Sequence, residues 1–213
     1  MKLSFFLFFL LCLIGTLFHL PFFSLNEVMK IADSFAYLQM AHFLGELSSE
    51  GLGSGWFGFL YSLPIALINI FLENDFLAGK IANLILWNIS AYLLWCIAQP
   101  LLSRNFSLIL IILYFCSASL LSFHIHILSE NIYIPLFLWF FLILQIFLSD
   151  GTIVLSPSLL LKRRLGQVIL LGIILGLLYL TRAEAFIYML SVGILAFGLL
   201  WQKKLSFKHF FLL

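Results

Sequence analysis

The sequence has few charged residues and little else that could face water. Only 9% of its 213 residues are Asp, Glu, Lys or Arg, whereas 64% are hydrophobic, and the mean hydropathy is +1.17. A water-soluble fold needs more polar side chains than this to cover its surface. The composition therefore excludes a soluble globular protein and predicts an integral membrane protein. The small number of basic residues also argues against nucleic acid as a partner.

Several motifs of soluble enzymes are missing as well. The sequence contains no P-loop, no G-x-S-x-G, no H-E-x-x-H and no G-x-G-x-x-G pattern, so soluble nucleotide chemistry has no support. The three cysteines, Cys12, Cys96 and Cys116, lie inside apolar runs without C-x-x-C spacing. We interpret them as small buried hydrophobic residues rather than as metal ligands.

What the sequence does have is long apolar runs. Six of them approach the length of roughly 20 residues that a membrane-spanning helix needs. They cover residues 3–23, 81–99, 106–123, 132–149, 165–181 and 185–201. Because the runs are continuously apolar rather than alternating, they predict helices. We expect an all-α integral membrane protein, a multi-span helical bundle of about six spans in a single transmembrane domain, residues 1–213.

The distribution of charge predicts the orientation. A seventh apolar run, 56–72, contains Gly58 and Pro64 and is treated as a re-entrant or interfacial segment. With that assignment, 8 of the 11 basic residues fall on the side of the N-terminus and eight of the nine acids on the other side. Since Lys and Arg concentrate in cytoplasmic loops, we expect a cytoplasmic N-terminus, an external region 24–80 with juxtamembrane helices, and location in a bacterial inner membrane.

The external region begins with a candidate acid. The segment "VMKIADSFAYLQMAHFLGEL" predicts an amphipathic helix whose apolar face includes Met40, Phe43 and either Phe35 or Ala36. Asp33 and Tyr37 are four residues apart, so we expect them to share a face. A carboxylate next to lipid needs water or a partner. It is either a site residue or part of a solvated polar face.

A second polar patch lies between two apolar runs, in "SFHIHILSENIYIPL". Glu130 stands there between Ser129 and Asn131. His124, His126 and Glu130 have a spacing that a metal ion could use, but the pattern is weak. We retain Glu130 as a candidate site residue.

A third group interrupts the apolar stretch "LLYLTRAEAFIYML". Arg182 and Glu184 either pair with each other at a hairpin tip or contact a ligand, where the guanidinium would offer a fork of donors to a phosphate. Lys80 and Lys30 are the other basic residues on the external side. Since that side should be poor in such residues, an anionic lipid-linked ligand would explain them.

These segments, taken in order, resemble a known family. The external D-x-x-x-Y of Asp33 and Tyr37 is followed by "GWFGFLYSLPIALINIFLEN", "AGKIANLILWN", "LSENIYIPLFLWF" and "GIILGLLYLTRAEAF". The order is similar to the N-terminal half of the GT-C glycosyltransferases, in particular bacterial enzymes like the dolichyl-phosphate-mannose–protein mannosyltransferases and the lipid A aminoarabinose transferases. The resemblance implies that residues 1–213 are the N-terminal part of a longer catalytic domain.

The resemblance also implies a reaction. Such enzymes move a sugar from a polyprenyl-phosphate donor to a protein, lipid or glycan acceptor at the external face. It makes Asp33 the base or the group that orients the acceptor, and places Arg182 at the donor phosphate. Tyr37, Lys80, Glu130 and Glu184 would contact substrate, and a divalent metal is left open.

The chain departs from the family pattern at three positions. Ser34 replaces a second acid, Ala36 replaces a basic residue, and Ala183 replaces the proline of "TRPE". Two rival functions are a non-enzymatic or inactive membrane subunit that binds lipid-linked intermediates, and a transporter of such intermediates. A transporter should have polar or broken-helix sites near the bilayer midplane and internal repeats. The sequence shows few midplane polar residues beyond Asn88 and Ser117–Ser119, and its charges lie at one surface.

The orientation is testable with a reporter that is active only in the periplasm. Fused after Arg104, it should be inactive, because the charge distribution puts that residue in the cytoplasm. A cytoplasmic reporter at the same position serves as the control. Periplasmic activity at this fusion point would contradict the predicted topology.

Overall fold

The chain is helical wherever its structure is described. The computed structural model describes residues 2–23, 32–46, 59–149 and 157–181, together with 187, 190 and 191. Within these ranges it has helices and no strands, which confirms the all-α class. The helices are α1 (Lys2–Phe23), α2 (Ala32–Gly45), α3 (Phe59–Leu72), α4 (Asp75–Ala98), α5 (Arg104–Cys116), α6 (Ala118–Ile125), α7 (Glu130–Ser149) and α8 (Pro157–Thr181).

Two of the described helices are long and apolar enough to cross a membrane. They are Asp75–Ala98 and Glu130–Phe147, which correspond to the runs predicted at 81–99 and 132–149. Three shorter apolar stretches, Phe6–Leu17, Phe59–Leu72 and Gly166–Thr181, do not reach that length. The predicted span 185–201 lies almost entirely outside the described residues. The fold is thus a helical membrane protein with two or three crossing helices in its described part.

The span predicted at 106–123 is wrong as a continuous helix. α5 ends at Cys116, α6 begins at Ala118, and their axes differ by 54°. Ser117 between them has an extended backbone, with φ −71° and ψ 111°, and its side chain accepts a hydrogen bond from the Leu120 N–H. This capping of α6 stabilises the break. The two helices are either one broken span or a re-entrant pair.

α4 is the helix around which the first six helices pack. Asn74 precedes it and accepts a 3.0 Å hydrogen bond from the Leu77 N–H, which caps one of the free amides of the first turn. Its first half packs on α2 and α3, and its second half on α1 and α5. Trp87 and Ala91 belong to the second cluster, whereas Ala78 and Ala82 belong to the first.

Contacts divide the chain into two compact units, Met1–Leu138 and Trp139–Leu213. The first unit contains α1 to α6 and the start of α7. In the second unit, α8 has a buried stripe at helical spacing, formed by Val168, Leu171, Ile174 and Leu178.

We predict that Gly79→Ala destabilises the first unit. A Cβ at Gly79 would lie 2.5 Å from the Cδ1 atom of Ile127, which is fully buried and has little room to move. Overpacking of this kind costs roughly 1–3 kcal/mol. The melting temperature of the purified protein in detergent should therefore fall.

The control for that substitution is Gly176→Ala in α8. A Cβ there meets nothing within 4 Å, and alanine favours the helix. Its melting temperature should be unchanged or slightly higher. Equal melting temperatures for the two variants would contradict close contact between α4 and the segment that carries Ile127.

Candidate functional site

A buried polar cluster joins α3 to α4 and α7, which carry the candidate residues Lys80 and Glu130. It consists of Tyr61 on α3, Asn83 on α4 and Asn131 on α7, each less than 2% exposed. The Tyr61 hydroxyl donates to Asn83 Oδ1 and lies 3.4 Å from the Asn131 Nδ2 that donates to it. Burial raises the pKa of the Tyr61 phenol, so the phenol keeps the proton that it donates.

The two asparagines also hold the chain between α6 and α7. Asn83 Nδ2 donates to the carbonyl oxygens of His124 and His126, at 2.9 and 2.8 Å. Asn131 Nδ2 lies 3.0 Å from the Phe123 carbonyl oxygen and 2.8 Å from that of His126. The last carbonyls of a helix have no partner within it. The side-chain amides of Asn83 and Asn131 therefore donate to the free carbonyls at the end of α6, where the surrounding side chains are apolar.

Tyr37 connects α2 to this cluster. Its ring lies edge-on against the ring of Tyr61, with centroids 5.1 Å apart and planes at 84°. Its carbonyl accepts a 3.1 Å hydrogen bond from the Ser62 hydroxyl. Tyr37 is only 6% exposed. Its side chain therefore packs against α3 in this structure.

The predicted faces of α2 need correction. Asp33 is exposed in the first turn, while Tyr37 is buried, so the two side chains do not share one surface. Phe35, one of the two alternatives for the apolar face, is 61% exposed. The buried face is formed by Ser34, Tyr37, Met40 and Ala41, because α2 packs on α3 and α4 rather than lying on lipid alone.

Lys80 is almost completely buried in α4. It is 4% exposed, and its Nζ atom lies 4.6 Å from the centroid of the Phe76 ring. Desolvation of an ammonium group is costly, and a cation–π contact offsets part of that cost. Lys80 precedes Asn83 by three residues, so it lies close to the polar cluster along the same helix.

Glu130 begins α7 and is half-buried. The Ser129 hydroxyl lies 3.5 Å from Glu130 Oε2, and the next residue, Asn131, belongs to the polar cluster. The first turn of a helix favours a negative charge, because the free N–H groups point toward it. The cluster thus fixes the backbone position of this carboxylate.

An ionic group fixes the other end of α2. His42 lies 3.2 Å from Glu46 and, through its other ring nitrogen, 3.6 Å from Asp75 at the start of α4. The Asn69 amide donates to the same Asp75 carboxylate. Exposed pairs of this kind contribute at most about 1 kcal/mol. They orient α2 rather than hold it in place.

Two candidate groups cannot be placed with the rest. Arg182 and Glu184 lie outside the described residues, as does Lys30.

Among the residues that are described, no three His, Cys, Asp or Glu side chains stand where they could share a metal ion. His124 is 2% exposed, with its ring 4.2 Å from that of Trp87 and its Nε2 atom 3.3 Å from the Tyr114 hydroxyl.

Sequence reasoning did not single out Tyr61 or Asn83. The only available signal was a polar amide inside the apolar run after Lys80, and intramembrane polar residues often mark function. Asn88, five residues later, gives the same signal. It lines a different cavity of about 550 Å³ between α1 and α4, which contains none of the candidate site residues.

No protein-family model, no curated protein and no solved structure matches this chain. The resemblance to the GT-C glycosyltransferases therefore stays an expectation that rests on the quoted motifs. What the chain can do is argued from its own residues.

We predict that Asn83→Leu destabilises the first unit by roughly 2–4 kcal/mol. The change keeps a side chain that branches at Cγ but leaves the Tyr61 hydroxyl proton and the His124 carbonyl without their partner, and each buried unpaired group costs about 1–3 kcal/mol. The His126 carbonyl keeps the hydrogen bond from Asn131. Thermal unfolding in detergent measures the loss.

Asn88→Leu is the matched control on the same helix. The Asn88 Nδ2 atom donates only to the Thr16 hydroxyl, at 3.3 Å, and to the Leu84 carbonyl, which is already paired within α4. The Asn88→Leu variant should therefore lose much less stability than Asn83→Leu. If both variants unfold at the same temperature, the cluster does not stabilise the connection between α6 and α7.

Proposed function

We propose that this chain belongs to a membrane glycosyltransferase that transfers a sugar from a polyprenyl-phosphate-linked donor to an acceptor at the external face. One observation carries the proposal beyond the motif resemblance. The buried polar cluster ties together α2, which bears Asp33, α4, which bears Lys80, and the start of α7, which bears Glu130. The same cluster thus holds three helices whose candidate residues are distant in sequence.

Asp33 is the proposed base. It is exposed in the first turn of α2, so an acceptor hydroxyl can approach it, and a base must come within about 2.6–3.2 Å of the group that it deprotonates. α2 packs against α3 through Tyr37, and the weaker contact of His42 with Asp75 orients it at the start of α4. Such packing holds a carboxylate in a defined position.

Lys80 is the proposed partner of the leaving phosphate. Its ammonium group is largely removed from water, and charges interact more strongly where water is excluded. Arg182 is assigned to the same phosphate, and Tyr37, Glu130 and Glu184 to substrate contacts, on the resemblance alone. The reaction breaks the bond between the sugar and the phosphate oxygen and forms a bond to the acceptor oxygen, whose proton goes to Asp33.

A second candidate function is transport of lipid-linked intermediates. The sequence argument against it was the lack of polar or broken-helix sites near the midplane and of internal repeats, and the 54° break between α5 and α6 supplies one broken helix. Discontinuous membrane helices are common at transporter binding sites. The break lies in the same unit as the polar cluster, so both functions would use the first unit.

We predict that Asp33→Asn lowers sugar transfer by at least about 100-fold while leaving the amount of protein in the membrane unchanged. The loss is that of a general base, which typically contributes 10²–10⁴-fold. The measurement is transfer of radiolabelled sugar from polyprenyl-phosphate donors in isolated membranes. Glu46→Gln, an exposed acid just after α2, is the control and should retain activity.

The other outcomes separate the rival functions. Full activity of Asp33→Asn contradicts the role of the base. Donor binding without transfer in the wild type favours a non-enzymatic subunit. Movement of a fluorescent polyprenyl phosphate across vesicles, equal in wild type and Asp33→Asn, favours the transporter.

A further inference from the structure

We propose that the cavity between α1, α5 and α6, here called the groove, binds the end of one acyl chain of an anionic phospholipid whose headgroup lies at the start of α5. The volume of the cavity is about 420 Å³. α1 contributes Leu11 and Ile14, α5 contributes Ile112 and Phe115, and α6 contributes Leu121. This volume is in the range of small-molecule sites, roughly 300–1,000 Å³.

α1 and α5 run in the same direction along this groove. Leu11 and Ile112 line it together, and Gly15 lies so close to Phe115 that an added Cβ would stand 2.6 Å from the ring. The two helices therefore keep a constant offset along their length. Both helices begin at the same end of the groove.

The start of α5 carries positive charge. α5 begins at Arg104, which precedes its first cavity residue, Ile112, by eight positions. At 1.5 Å per residue this is about 12 Å. Arg104 is exposed and forms no ion pair within the described part of the chain. A negative headgroup fits this end.

The dimensions match one lipid chain. The hydrocarbon of one leaflet is about 15 Å deep, half of a core that is about 30 Å thick. A headgroup at Arg104 would thus place the end of its acyl chain in the cavity. Water is a poor occupant, because a buried water needs two to four polar partners and no lining side chain named above offers one.

The occupant is a bilayer phospholipid rather than the polyprenyl donor. The donor phosphate is proposed to meet Lys80, which precedes Trp87 on α4, whereas the charged start of α5 follows the other end of α4 through the connection at 99–103. Arg104 and Lys80 thus belong to opposite ends of the α4–α5 hairpin. The choice of a bilayer phospholipid over the donor lipid rests on that proposed position of the donor phosphate, whereas binding of an acyl chain in the cavity does not.

The test uses the purified full chain in lipid nanodiscs. The probe is phosphatidylglycerol with a diazirine at the end of one acyl chain, and phosphatidylcholine with the same chain is its zwitterionic match. After irradiation, mass spectrometry maps the adducts. We expect them on the peptide that contains residues 112–121, with phosphatidylglycerol favoured by about five-fold, the effect of one basic residue near an anionic lipid.

Three variants decide the outcome. Ile112→Trp fills the cavity and should lower the adduct at least ten-fold. Leu113→Trp, at a residue that is 60% exposed and does not line the cavity, should leave it unchanged. Arg104→Gln should remove the preference for phosphatidylglycerol. If Ile112→Trp does not give a monodisperse protein, Leu121→Trp takes its place as the cavity-filling change.

Two results would overturn the proposal. Equal adducts in the Ile112→Trp and Leu113→Trp proteins, spread along the lipid-exposed residues, would mean ordinary annular lipid only. Competition by polyprenyl phosphate as strong as by phosphatidylglycerol would mean that the groove serves the donor lipid. Neither result bears on transfer by Asp33, so the two proposals fail separately.

Discussion

In an apolar protein, every buried backbone carbonyl that lies outside a helix needs a donor, and Asn83 supplies two. Its amide satisfies the carbonyls of His124 and His126 while its oxygen accepts the proton of Tyr61. Without such donors the chain could not leave the helix between α6 and α7 among hydrophobic side chains. The end of α6, the position of Glu130 and the packing of α2 on Tyr61 all depend on this one side chain and its partners.

Different positions along α4 make different kinds of contact. At Gly79 it lets Ile127 approach closely, at Lys80 it buries a charge, at Asn83 it binds carbonyls, and at Trp87 it meets His124. Successive turns of α4 thus provide close packing, a buried charge and hydrogen bonds to free backbone carbonyls. A substitution that shifts the helix by one turn would disturb all of them together.

The helical class and most helix positions could be predicted, because in lipid the length of an apolar run sets the length of a helix. α1, α4 and α7 fall within a few residues of their predicted runs. The break at Ser117 could not, since serine is tolerated within helices. The end of α6 could not either, because the His124 carbonyl is paired by Asn83, 41 positions away. The prediction of which face of α2 is buried was wrong for a related reason. Tyr37 packs on Tyr61, and no local sequence pattern reveals that partner.

The burial of Lys80 sets the polar region apart from the apolar packing around it. Lys80 is 4% exposed, and Phe76 lies against its ammonium group. Removing an ammonium group from water is costly, so a buried lysine needs interactions that stabilise its charge. Because Lys80 lies within one turn of the hydrogen-bonded cluster that also positions Glu130, the same helix surface combines a buried charge with satisfied polar groups. This combination is the physical ground for the proposed role of Lys80 at an anion.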